Sequence, residues 1–427
     1  MVKDIKTVAI LGSGGTIGSL TGGIIAQEGI KVYFLSRTKE AAVGGMLRAF
    51  EQARSEIIAQ NIICGDYESL LETAMKEADW VVEAVAEDIN IKRQIYKKIT
   101  PYLRPDTIIS STTSSLPLDK IAEALPKEMQ CNFLSTHFYN PPGKMLACEI
   151  ACLDRTNPEV YNFMKDFLEN RLRRSVIPVK NVAGFAGNRI AFLLLGQLTQ
   201  LVPEFGAEMI DYLVGPYTGR LMAPLATLNL VGLDIHKAII ESLRNNTNDQ
   251  MHDLFALPDY INTMIEKGLL GNKTKAGFYK RLEGGRKLFF DPATGDYIPA
   301  VQPHIGFVEH AKQLIHLGMY RQAFETIKDA RGKEADIVTD ILCMYISYAY
   351  NRIGEVTDAK YGINGIDKVM SEGFHWASPS LILNLLGGKK EVSKMLNQKG
   401  QAAPAQLQDT DNMELQIIDS GKYLVAR

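Results

Sequence analysis

Thr7-Val-Ala-Ile-Leu-Gly-Ser-Gly-Gly-Thr-Ile-Gly18 begins with a short apolar run and then breaks into four glycines within seven positions. A run this short, apolar throughout rather than alternating, suits a strand buried on both faces of a parallel sheet. Leu20 to Gly29 then reads as a helix, and Lys31-Val-Tyr-Phe-Leu35 as the next strand. Strand, glycine turn, helix and strand make one βαβ unit. Further strand-like runs at Trp80–Ala86, Thr107–Ser111 and Asn132–His137 are separated by polar helical stretches. That alternation predicts an α/β Rossmann domain, a doubly wound and mostly parallel sheet, over residues 1–182.

Beyond Val182 the strand signals fade, and long helical stretches such as Asn188–Leu201 and Ala207–Val214 take over. The expected order is an all-α domain at 183–282, a linker at 283–303, a second all-α domain at 304–396 and a loosely ordered tail at 397–427. The two helical blocks echo each other. Pro224-x4-Asn229-Leu230-x-Gly232 recurs as Pro379-x4-Asn384-Leu385-x-Gly387, Ile210-Asp211 as Ile366-Asp367, and Asn188-Arg189-Ile190 as Asn351-Arg352-Ile353. An internal duplication is expected, one able to mimic the interface that a single-copy relative makes by dimerising.

Lys and Arg total 47 against 49 Asp and Glu, a net charge of −2 that offers no basic footprint for nucleic acid or an anionic membrane. The five cysteines include no C-x-x-C pair, which points to reduced structural thiols and predicts no metal site. The amino-terminal residues lack the apolar core of a signal peptide, and no stretch has the length of a membrane span. A cytoplasmic protein is expected.

Glycines in a strand-to-helix turn let the backbone approach a pyrophosphate seated on the positive end of the helix. Gly12, Gly14 and Gly18 give the spacing G-x-G-x-x-x-G, so either the loop carries one extra residue or Gly15 stands in for the second glycine. The second strand ends in Ser36-Arg37, where NAD binding usually calls for an acidic residue. An uncharged residue followed by Arg suits a 2′-phosphate and leans towards NADP; alternatively Arg37 stacks on adenine or faces solvent. At the end of the Trp80 run, Glu87 and Lys92 are placed to touch the nicotinamide half of a cofactor, or else form an acidic helix start.

Six consecutive hydroxyl residues, Ser110 to Ser115, end the next strand and are suited either to a substrate oxygen or to capping the helix near Pro117. Thr136-His137-Phe-Tyr-Asn-Pro-Pro142, with Glu149 downstream, is the sharpest constellation. Oxidising an alcohol needs a base for the hydroxyl proton, and His137 has a suitable ordinary pKa. Glu149 would fix its tautomer and stabilise the imidazolium. Asn188, in Gly184-Phe-Ala-Gly-Asn-Arg189, presents both a donor and an acceptor to a ligand carbonyl.

Together these segments resemble the L-3-hydroxyacyl-CoA dehydrogenase family. The resemblance runs through the glycine turn, Val81–Glu87, Thr113-Ser-Ser-Leu116, His137-Phe-Tyr-Asn-Pro141, Glu149, Gly184–Arg189, Pro224–Asp234 and Gly277-Phe-Tyr279, and covers residues 1 to about 282. The rest resembles the duplicated carboxy-terminal domain of multifunctional members. The resemblance implies reversible oxidation of an (S)-3-hydroxyacyl-CoA, with His137 as base and Glu149 as its partner. Ser114 and Asn188 would bond the substrate, and Glu87 and Lys92 would lie by the cofactor. Because relatives mostly use NAD, it ranks NAD first and NADP as the alternative, although Ser36 replaces the usual aspartate and Thr112 a common asparagine. Arg48 and Arg54 are candidates for the CoA phosphates. A dehydrogenase of free 3-hydroxy acids is the rival. The expected partners are an acyl-CoA substrate and a separate enoyl-CoA hydratase, with the chain a monomer or homodimer.

Overall fold

The computed structural model describes residues 4–282, 284–408 and 420–426, which fall into two compact units. The first holds residues up to Phe185, joined by Val356–Asp358 and Glu372–Phe374. Its centre is an eight-stranded sheet. The strands are β1 (Thr7–Leu11), β2 (Lys31–Ser36), β3 (Ile62–Asp66), β4 (Trp80–Glu83), β5 (Ile108–Ser111), β6 (Phe133–Phe138), β7 (Ala147–Cys152) and β8 (Ser175–Pro178). Their order is β3-β2-β1-β4-β5-β6-β7-β8. All neighbours run parallel except β6 and β7, which are antiparallel. The order reverses between β1 and β4, the switch point at which doubly wound sheets bind ligands beyond the carboxyl ends of their strands. Four of five residues in β1 and all of β4, β5 and β6 are buried, the consequence of helices covering both faces.

The helices of this unit are α1 (Thr16–Gln27), α2 (Lys39–Ala53), α3 (Leu71–Glu77), α4 (Ile89–Ile99), α5 (Leu118–Ala122) and α6 (Pro158–Asp166). Thr38 caps α2 by accepting from the Ala41 N–H, and Asp88 caps α4 by accepting from Asn90 and Ile91. The helix near Pro117, whose capping was one of the two uses open to the hydroxyl run, starts from Pro117 with no side-chain cap. The hydroxyls nearby serve a carboxylate instead, as described below.

The second unit is mostly helical, running from α7 (Gly187–Phe205), α8 (Ala207–Leu213), α9 (Pro224–Val231), α10 (Leu233–Asn246) and α11 (Asp259–Glu266) to α12 (Gly306–His316), α13 (Tyr320–Asp329) and α14 (Lys333–Asn351). Then come α15 (Asn364–Gly373), α16 (Pro379–Leu385), α17 (Lys389–Gln398) and α18 (Ala405–Gln408). Three features depart from the expected domain map. The stretch read as a linker, 283–303, contributes β10 (Lys287–Phe290) and β11 (Tyr297–Pro299), which with β9 (Tyr279–Arg281) form an antiparallel sheet. Leu288, Phe289 and Phe290 are buried there, so its glycines and prolines mark hairpin turns within folded structure. Short segments of the second helical block, 356–358 and 372–374, group with the first unit. In the expected loose tail, α18 forms and Leu407, Tyr423 and Leu424 are buried, while 409–419 lie outside the described residues. Among the described residues no helix is long and apolar enough to cross a membrane.

The echoed residues make matching contacts. Asp211 accepts the Leu225 N–H at 2.7 Å and Asp367 accepts the Ser380 N–H at 3.2 Å, each at the residue after the repeated proline. Arg189 and Arg352, both almost fully buried, converge on the same two carboxylates, Asp249 and Glu355, at 2.6–2.8 Å.

Candidate active site

The glycine loop is shaped by contacts that leave no room for side chains. Gly12 has φ +84°, and a Cβ there would lie 2.4 Å from the Ala84 carbonyl oxygen. A Cβ on Gly18, inside α1, would lie 2.7 Å from the Gly12 oxygen, so the helix packs tightly onto the turn. Gly14 packs against Ser36, with only 2.7 Å between its missing Cβ position and Ser36 Oγ. Gly15 is the N-cap of α1 and no side chain caps that helix, so its first-turn N–H groups are presented to the loop mouth. This cradle fits the pyrophosphate of a dinucleotide. Arg48, a sequence candidate for CoA phosphate, donates instead to the Gly14 carbonyl and braces the loop. Arg54, the other candidate, is the left-handed C-cap of α2.

Ser36 is buried at the end of β2 and Arg37 is exposed. Tyr67, just past β3, lies close enough to Gly12 and Arg37 to feel both, while burial pushes its phenol up to about 12.

Glu87, with 31% of its side chain exposed, joins buried Lys92 in one network with a third member, buried Glu83, which the sequence reading passed over. Lys92 Nζ is 2.7 Å from Glu83 and 3.3 Å from Glu87, and its side chain is 1% exposed. Burial alone would lower the Lys92 pKa, but the two carboxylates hold it above the ordinary lysine value. Glu83 also receives Ser111 Oγ at 2.6 Å and the Val85 N–H at 2.9 Å. Burial pushes the Glu87 carboxyl up; Lys92 and donors from Thr113, Ser114 and Ser115 outweigh that and hold it below the usual carboxylate range. Glu87 Oε1 takes the hydroxyls of Thr113 and Ser115 and the backbone N–H of Ser114. The hydroxyl turn is thus clamped by Glu87, and the Lys92 ammonium is already satisfied by its two carboxylates. A glutamate inside the apolar run Trp80–Ala86 was the signal that could have revealed Glu83.

His137 and Glu149 are direct cross-strand partners in the β6–β7 ladder. Nδ1 of His137 lies 2.7 Å from Glu149 Oε2, with the carboxylate fully buried and the imidazole 10% exposed. Tyr139 donates its hydroxyl to the same Oε2 at 2.7 Å and meets the imidazole edge-on at 4.8 Å. With Nδ1 held by an anion, Nε2 is the nitrogen left to exchange a proton. Asn188 lies on the second unit, buried in the first turn of α7. The structure therefore gathers His137 with Glu149, gathers Glu87 with Lys92 and the Ser114 turn, and places Asn188 on a separate body.

A doubly wound sheet, an open glycine cradle at its switch point and a buried histidine–carboxylate pair define a dinucleotide-binding, acid–base class of protein. More particularly, the chain belongs to the 3-hydroxyacyl-CoA dehydrogenase family. Residues 7–182 match that family's NAD binding domain and residues 184–281 its C-terminal domain. A probable 3-hydroxyacyl-CoA dehydrogenase of Deinococcus radiodurans is 30% identical over 65% of this chain and 83% of its own length. A probable 3-hydroxyacyl-CoA dehydrogenase of Bacillus subtilis is 29% identical over 99% of this chain, yet the chain spans only 56% of that protein. The fold is shared with the crystal structure of 3-hydroxybutyryl-CoA dehydrogenase from Escherichia coli, at TM-score 0.67 and 18% identity over 95% of this chain and 98% of that one.

Proposed function

We propose that the chain interconverts (S)-3-hydroxyacyl-CoA and 3-oxoacyl-CoA, with NAD as the first cofactor and NADP as the alternative. The observation that carries this reading is the buried 2.7 Å contact between His137 Nδ1 and Glu149 Oε2. In the oxidative direction His137 Nε2 takes the hydroxyl proton, and Glu149 stabilises the imidazolium that results. The chemistry supplied by a bound nicotinamide is hydride exchange with the carbinol carbon. Ser114, whose backbone is held by Glu87, donates its hydroxyl to the substrate oxygen. Asn188 joins this set on the family resemblance alone. Gly12, Gly14 and Gly18 shape the pyrophosphate cradle, Ser36 and Arg37 border the adenosine end, and Glu87 with Lys92 supports the nicotinamide end.

We place the reaction in the cytoplasm, in keeping with five unpaired cysteines, with an enoyl-CoA hydratase as a partner activity and the chain a monomer or homodimer. The test is reduction of acetoacetyl-CoA and of a longer 3-oxoacyl-CoA, with NADH and NADPH in parallel. Turnover that depends on the CoA moiety supports the reading, and the cofactor ratio settles the roles of Ser36 and Arg37. Turnover of free 3-oxo acids at the same rate would favour the rival substrate class, and no turnover at all would sink both. His137→Gln is expected to lose about 10²–10⁴-fold in kcat while nucleotide binding persists.

A further inference from the structure

His137 and Glu149 account for proton transfer, yet a third group competes for the same carboxylate oxygen. Tyr139 is buried, two residues beyond His137, and its hydroxyl donates to Glu149 Oε2, the atom that also meets His137 Nδ1. The phenol is held on several sides. Its ring meets the His137 imidazole at 4.8 Å and Phe374 at 5.3 Å, and Gly373 packs so closely that a Cβ there would lie 2.9 Å from the ring. Burial, followed by the neighbouring Glu149 charge, raises the phenol far above its ordinary value, so it remains a neutral donor.

We propose that Tyr139 is a positioning residue that sets the protonation point of His137 by withdrawing hydrogen-bonding capacity from Glu149; this rests on the reading of His137 as the base. A carboxylate oxygen that already accepts a phenolic proton has less negative charge to offer an imidazolium. Tyr139 thereby keeps His137 a weaker base than Glu149 alone would make it, and leaves more of the histidine neutral at the moment a proton must be taken. It also fixes the carboxylate rotamer, since Oε2 is bonded from both sides.

The other titratable and charged groups around the pair come from several elements. Cys148 precedes Glu149 on β7, fully buried, and burial drives its thiol far above the ordinary range. Arg174, in the turn before β8, acts on Cys148 and is fixed by the Leu172, Pro142 and Met145 carbonyls. Glu372 is the carboxylate next to Gly373, the residue that packs on the Tyr139 ring. From β5 come only hydroxyls, Ser110 and Ser111, the first bonded to Thr136 and the second to Glu83.

The test is Tyr139→Phe, which removes one oxygen and keeps the ring packing. The His137 imidazole is titrated by ¹⁵N-histidine NMR in the full chain, with its resonance assigned by loss in His137→Gln. We expect the His137 pKa to rise by about half a unit to one unit in Tyr139→Phe. The pH profile of kcat/KM in the oxidative direction should move its acid limb upward by the same amount. In a Glu149→Gln background the same substitution should move the imidazole pKa by less than a third as much. An unchanged or lowered pKa in Tyr139→Phe, or an equal shift without Glu149, overturns the proposal. Because the NMR titration needs no substrate, a failure of the proposed reaction would appear separately, as absent turnover in the unmodified chain.

Discussion

Lys92 shows how a single buried charge is tolerated. Its ammonium lies between Glu83 and Glu87, and each carboxylate has further donors from Ser111, Val85 or the Thr113–Ser115 turn. A buried pair is costly to assemble but costlier to break, because removal of one partner leaves an uncompensated charge. Lys92→Met should therefore lower stability by about 3–5 kcal/mol, read from urea unfolding followed by circular dichroism. A loss under 1 kcal/mol would mean that water reaches the carboxylates and that the network does little to hold the Ser114 turn. His137 and Glu149 follow a different logic, since adjacent antiparallel strands set their separation and no loop has to find it.

At the scale of the element, the β1–α1 turn distinguishes glycines that look alike in sequence. Gly12 combines a left-handed backbone with a neighbouring carbonyl at 2.4 Å from its missing Cβ position, whereas a Cβ on Gly15 would meet only the Gly12 oxygen at an ordinary 3.4 Å. Gly12→Ala should cost about 1–3 kcal/mol in backbone strain and steric displacement, and should weaken NADH binding at least tenfold by fluorescence titration. Gly15→Ala should bind within about threefold of the unmodified chain, if its methyl points away from the phosphates. Equal losses in the two variants would show that the pyrophosphate itself fills the space beside Gly15. The β6–β7 pair is the other decisive element. Reversal of direction between these strands is what brings Glu149 opposite His137 after an excursion of twelve residues.

At the scale of the whole molecule, three buried groups of the second unit give the stability an unusual pH dependence. His236 on α10 is fully buried beside Phe192, with hydrogen-bond partners for neither ring nitrogen, and burial pushes its pKa down to about 3. In the unfolded chain it takes up a proton below about 6.5, so stability falls as pH drops from there towards 3. Asp211 and Asp367 act in the opposite sense, burial raising them to about 6 and about 7. Each is protonated in the folded state well above the pH at which the unfolded chain protonates it, so stability falls as pH rises between about 4 and 7. His236→Phe should reduce the acid-side loss between pH 6 and 4, and Asp367→Asn the loss between pH 4 and 7, both followed by urea midpoints. An unaltered pH dependence in His236→Phe would mean that the imidazole is solvated through local opening.

The sequence by itself determined the βαβ start and the mostly parallel sheet, because each depends on local period, and its motifs marked the family and singled out His137 and Glu149 as candidates for a pair. It also pointed to the echoed residues among which Asp211 meets Leu225 and Asp367 meets Ser380. Only the tertiary structure decided that 283–303 forms strands, that 356–358 and 372–374 belong with the first unit, and that Arg48 braces the glycine loop. It alone placed Glu83 beneath Lys92 and Tyr139 on Glu149. A buried charge or phenol is stabilised by Lys92 and Ser111, 9 and 28 positions away, in Glu83's case and by the opposite strand in Tyr139's. Local patterns carry hydrophobic period and turn chemistry, but which polar atoms share an oxygen is settled only when strands close in register and water is excluded.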